Sequence, residues 1–227
     1  MASDANQHDG PSSSQARSLC SDFLEQLPVT GASISMFATN GLQSTLCASD
    51  DVSARSEALQ FELGEGPHWE AIASRAPVLC SDIRSGITSW PLYAHAAADL
   101  GVVGNFAFPM TMGAAIVGVV DLYTRTPFVM DSSLVDRAHA LARAATAPAV
   151  RRATQLADDT ESHEATLAPA LRREVHQATG MILVQLGISA TDAFARLRAY
   201  SFAVERPVTD VARDVVERRI DFTALPD

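Results

Sequence analysis

The stretch from Val175 to Arg219 constrains the fold most, because helical periodicity there is cut into three pieces by residues that end helices. Leu167, Leu171, Val175, Ala178 and Ile182 form one apolar stripe, and Gly187 behind it suits the left-handed position that closes a helix. Pro169 stands in the first turn, where a missing N–H is tolerated. Ser189 precedes Asp192 by three, a capping-box-like start with Asp in place of Glu or Gln. It opens a second helix with Ala193, Phe194, Leu197 and Ser201 on one face. Glu205-Arg206-Pro207 ends that helix, and Thr209 is placed to cap a third bearing Val211, Ala212, Val215 and Val216. Each segment is one-sided and too short to be stable alone, so residues 166–222 are expected to pack as a three-helix bundle.

The preceding residues follow a different period. Residues 1–17 read as a disordered start, and Leu19, Phe23, Leu24 and Leu27 repeat at helical spacing. Residues 31–39 alternate as a strand, Asn40-Gly41 is a hairpin-turn dipeptide, and residues 43–48 return. Helices are expected at 53–61, 68–74 and 92–100, and a short strand at 77–81. The nearly continuous apolar runs 105–111 and 114–123 read as central strands, followed by a helix from Asp131 to at least Ala147. The fold class is α+β: a largely antiparallel sheet with flanking helices over 18–150, a helical connector and hinge at 151–165, the bundle, and a tail at 223–227. Leu134, Ala138, Leu141 and Ala145 are spaced as a coiled-coil seam. The plain use of that helix is to cover the sheet, and a second use is to help two chains pair. Pro148 is expected to interrupt the stripe, and Asp158 to Glu164 to mark the hinge.

Charge and cysteine content narrow the functions. The formal net charge is −10, and residues 1–130 hold 5 Arg against 13 carboxylates, whereas 161–227 hold 8 against 10. A chain of this balance binds a polyanion only through a local face of its C-terminal part. No apolar stretch is long enough to span a bilayer, and with no basic segment leading an apolar one near residue 1, no secretory signal is expected. Three cysteines, Cys20, Cys47 and Cys80, are odd in number and far apart, which argues against a disulfide framework and for a reducing cytoplasm. No nucleophile elbow, Walker loop, dinucleotide fingerprint or metal-ligand spacing is present; Gly64-Glu65-Gly66 is followed by Pro67 and reads as a turn.

Two resemblances follow from these residues. Leu63-Gly-Glu-Gly-Pro-His-Trp-Glu-Ala-Ile72, Asp82-Ile-Arg-Ser-Gly-Ile-Thr-Ser-Trp-Pro91 and the run from Phe106 to Tyr123 together resemble a GAF sensory domain. Ala178-Thr-Gly-Met181, then Ala193-Phe194 with Leu197-Arg198, then Asp210-Val-Ala212 with Val215-Val216, resemble the ANTAR family of RNA-binding antiterminator domains. The second resemblance implies a homodimer that binds tandem short RNA hairpins in leader transcripts and so lets the polymerase pass a terminator. Arg198 is the best contact residue, since its planar fork suits a phosphate or a base face. Tyr200 offers a ring for stacking; Arg196, Arg213, Gln177, Gly180 and Thr179 complete the set. Many relatives carry Lys where this chain has Thr179, so one phosphate contact is replaced by a hydroxyl.

The GAF resemblance implies a pocket between sheet and helices, with His68, Trp69, Cys80, Trp90, Tyr93, Phe106, Phe108 and Tyr123 as its lining and a small planar or apolar effector as its ligand. The cofactor is otherwise unspecified. Some GAF-like proteins reduce methionine sulfoxide with cysteines; here His68 stands where relatives have Cys after Gly-Glu-Gly-Pro, and only Cys80 is near, so no catalysis is expected. The alternative to RNA binding is a dimeric adaptor whose helical tail docks on a protein partner.

Overall fold

The computed structural model describes residues 11–37, 43–85, 89–159 and 167–224. The expected Asn40-Gly41 turn, residues 1–10 of the start, most of the hinge and the end of the tail lie outside them. The elements run α1 (Pro11–Gln26), β1 (Gly31–Phe37), β2 (Gln43–Ala48), α2 (Asp51–Leu63), α3 (Pro67–Ser74), β3 (Val78–Cys80), α4 (Pro91–Asp99), β4 (Gly104–Met112), β5 (Ala115–Thr124), α5 (Ser132–Asp159), α6 (Leu167–Leu186), α7 (Ala190–Ala203), α8 (Val208–Val216) and a closing 3₁₀ turn, Phe222–Ala224. The five strands form an antiparallel sheet in the order β2-β1-β5-β4-β3, so the two apolar runs are inner strands, as expected.

Strand alternation divides the sheet into two faces. Ile34, Met36, Phe106, Phe108, Met110, Val120 and Leu122 pack under α1 and α5, against Phe23, Leu27, Ala138, Ala142 and Ala149. The stripe that resembled a coiled-coil seam therefore covers the sheet, with Leu134, Leu141 and Ala145 partly buried at its edges. Pro148 does not break α5; Ala142 and Ala149 on either side are buried against the sheet and hold the helix through it. The helical start also reaches back to Pro11, into the segment expected to be disordered.

Cys20 and Cys47 are joined in a disulfide, which corrects the expectation from their spacing. They stand 27 residues apart along the chain, yet the β1–β2 hairpin returns Cys47 beside α1, with the two Cα atoms 6.2 Å apart. Cys80 remains free.

On the opposite face lie α2, α3 and α4. Helix α2 starts two residues earlier than the periodicity indicates, because Asp50 and Ser53 form a reciprocal capping box: Ser53 N–H donates to Asp50 Oδ1 at 2.7 Å and Asp50 N–H to Ser53 Oγ at 3.1 Å. It stops at Gly64, whose φ of +62° is left-handed and whose N–H reaches Gln60 O at 2.8 Å.

The C-terminal helices form the expected bundle. Val175, Ala178, Ile182, Ala193, Leu197, Val208, Val211, Ala212 and Val215 are its core, and Phe222 closes one end. Gly187 ends α6 at φ +64°, and Ser189 accepts from Asp192 N–H at 3.1 Å to start α7. Thr209 is not a cap: Pro207 holds that position, so Thr209 lies inside α8 and no side chain caps the helix.

Candidate functional site: a buried polar network and the bundle face docked beside it

Asp121 stands mid-strand on β5 and faces the α2–α4 side, in register with Ser33 of β1 and Ala107 of β4. It is 5% exposed, so its charge must be met inside the protein. His68 Nδ1, on the first turn of α3, lies 2.7 Å from Asp121 Oδ2, and Gln60 Nε2 donates to Asp121 Oδ1 at 3.1 Å. Gln60 Oε1 accepts from His68 N–H at 2.8 Å, and the Trp69 indole N–H donates to Gln60 O at 2.6 Å. One glutamine on the last turn of α2 thus ties that helix to both β5 and α3. A second set lies beside it: Glu57 accepts from Gln43 at 2.7 Å and from Thr45 at 2.9 Å, and Ser56 Oγ pairs with Tyr93 OH at 2.7 Å. Burial pushes the Tyr93 phenol well above its ordinary range; Tyr123 rises to about 12 from burial and its bond to Asp50. His68 Nε2, Ser35 Oγ and Asn105 Oδ1 are buried on this face with no hydrogen-bond partner among the described residues.

The expected pocket lining divides accordingly. His68, Trp69, Cys80, Trp90, Tyr93 and Tyr123 fall on the α2–α4 side. Phe106 and Phe108 point to the other face, into the core under α1 and α5, because even-numbered β4 residues alternate away from Asp121. An open cleft of about 430 Å³ lies at the sheet edge between Glu70, Leu79, Cys80 and Trp90. Burial pushes the Cys80 thiol above its ordinary range, which works against a nucleophilic thiolate, and its two fellow cysteines are bonded to each other. Among the described residues no cluster of His, Cys, Asp and Glu is placed to hold a metal, and no helix is long and apolar enough to cross a membrane.

The bundle residues separate into four groups. Thr179 is 5% exposed, and its hydroxyl donates to Val175 O at 2.7 Å, so this expected RNA contact is turned inward. Tyr200 packs edge-on against Phe222 at 5.5 Å, and Arg213 is engaged by Glu174 and Asp210, both at 3.3 Å. Gln177 and Gly180 are exposed on α6 and line a groove of about 550 Å³ with Met181, Val184, Gln185 and Ile220; Val184 is 78% exposed. Arg196 is exposed on α7.

Arg198 goes elsewhere. Its guanidinium donates to Leu63 O at the end of α2, at 2.9 Å, and lies 5.7 Å over the Phe194 ring. Phe194 stacks on Phe61 of α2 at 5.1 Å, His176 of α6 meets the same ring edge-on at 6.3 Å, and His176 Nε2 reaches Gln43 O at 3.2 Å. Phe61 belongs to the core of the bundle although it is one residue from Gln60. Burial draws the Arg198 pKa down and Glu65 partly restores it; a guanidinium stays charged in either case. Sequence reasoning missed Phe61, Gln60 and Asp121. The only available signal was an acid inside the apolar run of β5.

Residues 15–147 match the GAF domain family model and residues 164–216 the ANTAR domain family model. No curated protein matches the chain. Similar solved structures include a domain of a two-component sensor histidine kinase protein from Sinorhizobium meliloti 1021, at 18% identity over 66% of this chain and 97% of that one, TM-score 0.49. The cyanobacteriochrome TePixJ GAF domain is 20% identical over 68% and 99%, TM-score 0.47. Type II free methionine-R-sulfoxide reductase from Thermoplasma acidophilum is 13% identical over 59% and 87%, TM-score 0.44. Both matched domains are regulatory, the ANTAR domain being an RNA-binding antitermination module. With more than half its length in the first match, the chain belongs to the GAF domain family, and it carries an ANTAR domain behind the GAF domain.

Proposed function

We propose that this chain is a signal-responsive antitermination regulator that binds tandem RNA hairpins as a homodimer and catalyses no reaction. The observation that carries the reading is the ANTAR match falling on a folded bundle with an exposed groove at Gln177 and Gly180. Gly180 sits mid-helix, and a Cβ there would meet nothing within 4 Å, so no packing among the described residues calls for glycine. Close approach of an RNA loop is a use for it.

The sensory half of the proposal rests on His68 Nε2, a buried ring nitrogen with no hydrogen-bond partner among the described residues, which a small polar effector would meet beside the His68–Asp121 pair. Binding there would shift a population between arrangements of the two domains. The effector is then small and hydrogen-bonding, a more polar ligand than the aromatic lining alone indicates.

The test is a selection. A pool of RNAs, each carrying two short hairpins with randomised loops, is passed over the purified chain at near-physiological salt, and the mass of retained complexes is measured. Enrichment of particular loop sequences on two copies of the chain is expected. Retention without loop enrichment, or none, would contradict the reading and favour a protein-docking adaptor. The net charge of −10 is the feature that favours that adaptor.

A further inference from the structure

Arg198 and Phe194 occupy one face of α7, and that face is seated on the end of α2. We propose that this contact is a latch: the GAF domain and RNA compete for the same bundle face, and RNA binds fully only when the bundle leaves α2. The inference rests on the RNA-binding reading above and adds what controls it.

The chemistry of the seat supports competition. A helix C-terminus exposes carbonyl oxygens carrying partial negative charge, and Leu63 O is such a group. Glu65 lies close enough to act on Arg198 electrostatically. Together they offer the guanidinium an acceptor and a negative field, as an RNA phosphate would. The aromatic part repeats the pattern, since Phe61 stacks on Phe194 where an unpaired base could stack instead. Gly64 makes the approach possible: a Cβ built there would fall 1.8 Å from Arg198 Cζ. The left-handed residue that ends α2 is thus also the gap through which Arg198 reaches Leu63 O.

The seat is joined to the buried network through single residues. Gln60 holds Asp121 and the His68 N–H, and its carbonyl accepts from Gly64 N–H and from Trp69. Trp69 packs against the bundle core, and Phe61 follows Gln60. Gln43 holds Glu57 through its side chain and His176 through its carbonyl. A change at His68–Asp121 that moves the last turn of α2 must therefore disturb the latch.

The experiment uses the full chain and a two-hairpin RNA taken from the selection. Hydroxyl-radical footprinting reads the Phe61 side chain, and titration reads affinity for wild type and Phe61→Ala. RNA saturation is expected to raise Phe61 oxidation severalfold, and Phe61→Ala to bind on the order of tenfold more tightly, since coupling between sites works in both directions. Arg198→Ala should also expose Phe61, yet bind RNA more weakly than wild type. If Phe61 stays protected in the RNA complex, or the folded Phe61→Ala chain binds RNA no more tightly, the latch is wrong while RNA recognition stands. Should Phe61→Ala fail to fold, wild-type footprinting with and without RNA decides alone. If neither chain retains any hairpin RNA, the RNA-binding reading falls and the latch with it.

Discussion

Asp121 is the residue on which the sensory face depends, because two partners compensate a charge that the surrounding strand cannot. Asp121→Ala leaves His68 Nδ1 and Gln60 Nε2 buried without their acceptor. That loss should cost about 3 kcal/mol of stability in urea unfolding, in the range for breaking a buried pair; a change under about 1 kcal/mol would mean that the pair is not formed. Gly180 predicts the opposite sign. Gly180→Ala should stabilise the bundle by up to about 1 kcal/mol, since the added methyl meets nothing, and should weaken hairpin binding. Unchanged RNA affinity in that variant would remove Gly180 from the contact face. Residue chemistry was legible where it acts locally: Gly187 as a helix stop and Ser189 as a cap follow from spacing alone. The sequence points to Arg198 as the main contact but not to its seat on Leu63 O, because the partner is a backbone carbonyl 135 positions away that carries no sequence signature.

Among the elements, α1 and α2 carry what periodicity does not show. The Cys20–Cys47 bond fastens α1 to β2, and closing a loop of 27 residues removes unfolded-state freedom. The oxidised chain should be more stable than Cys47→Ser by about 3 kcal/mol in urea unfolding. Equal stability would show that the bond does not form in solution. In the bundle, Arg206 and Arg219 at 2.7 and 2.6 Å hold Asp214 below its ordinary carboxylate range. A carboxylate with a lowered folded-state pKa contributes fully above the unfolded value near 3.8 and loses its contribution as pH falls through the folded value. Asp214→Asn should therefore flatten the acid limb of bundle unfolding below about pH 4, and an unchanged limb would show these surface pairs to be inert. The strands and most helices could be placed from alternation and from Gly and Pro. Aromatic character alone does not tell the faces of β4 apart: Phe106 and Phe108 suit a pocket lining, whereas alternation from Asp121 sends them to the other side.

For the molecule as a whole, the two family matches and the latch describe one arrangement: a sensory sheet domain whose helix α2 meets buried polar groups with one residue and the RNA-type bundle with the next. The acidic balance of residues 1–130 fits this order, since a negative domain seated against Arg198 repels RNA until the bundle leaves. The most direct test of this account is single-round transcription through a terminator overlapped by the selected hairpin pair, with the full chain added. The account predicts more readthrough than without protein, a further rise with Phe61→Ala, and loss of the effect when the loops are scrambled. Readthrough unchanged by protein on a template whose hairpins it binds would contradict antitermination as its function.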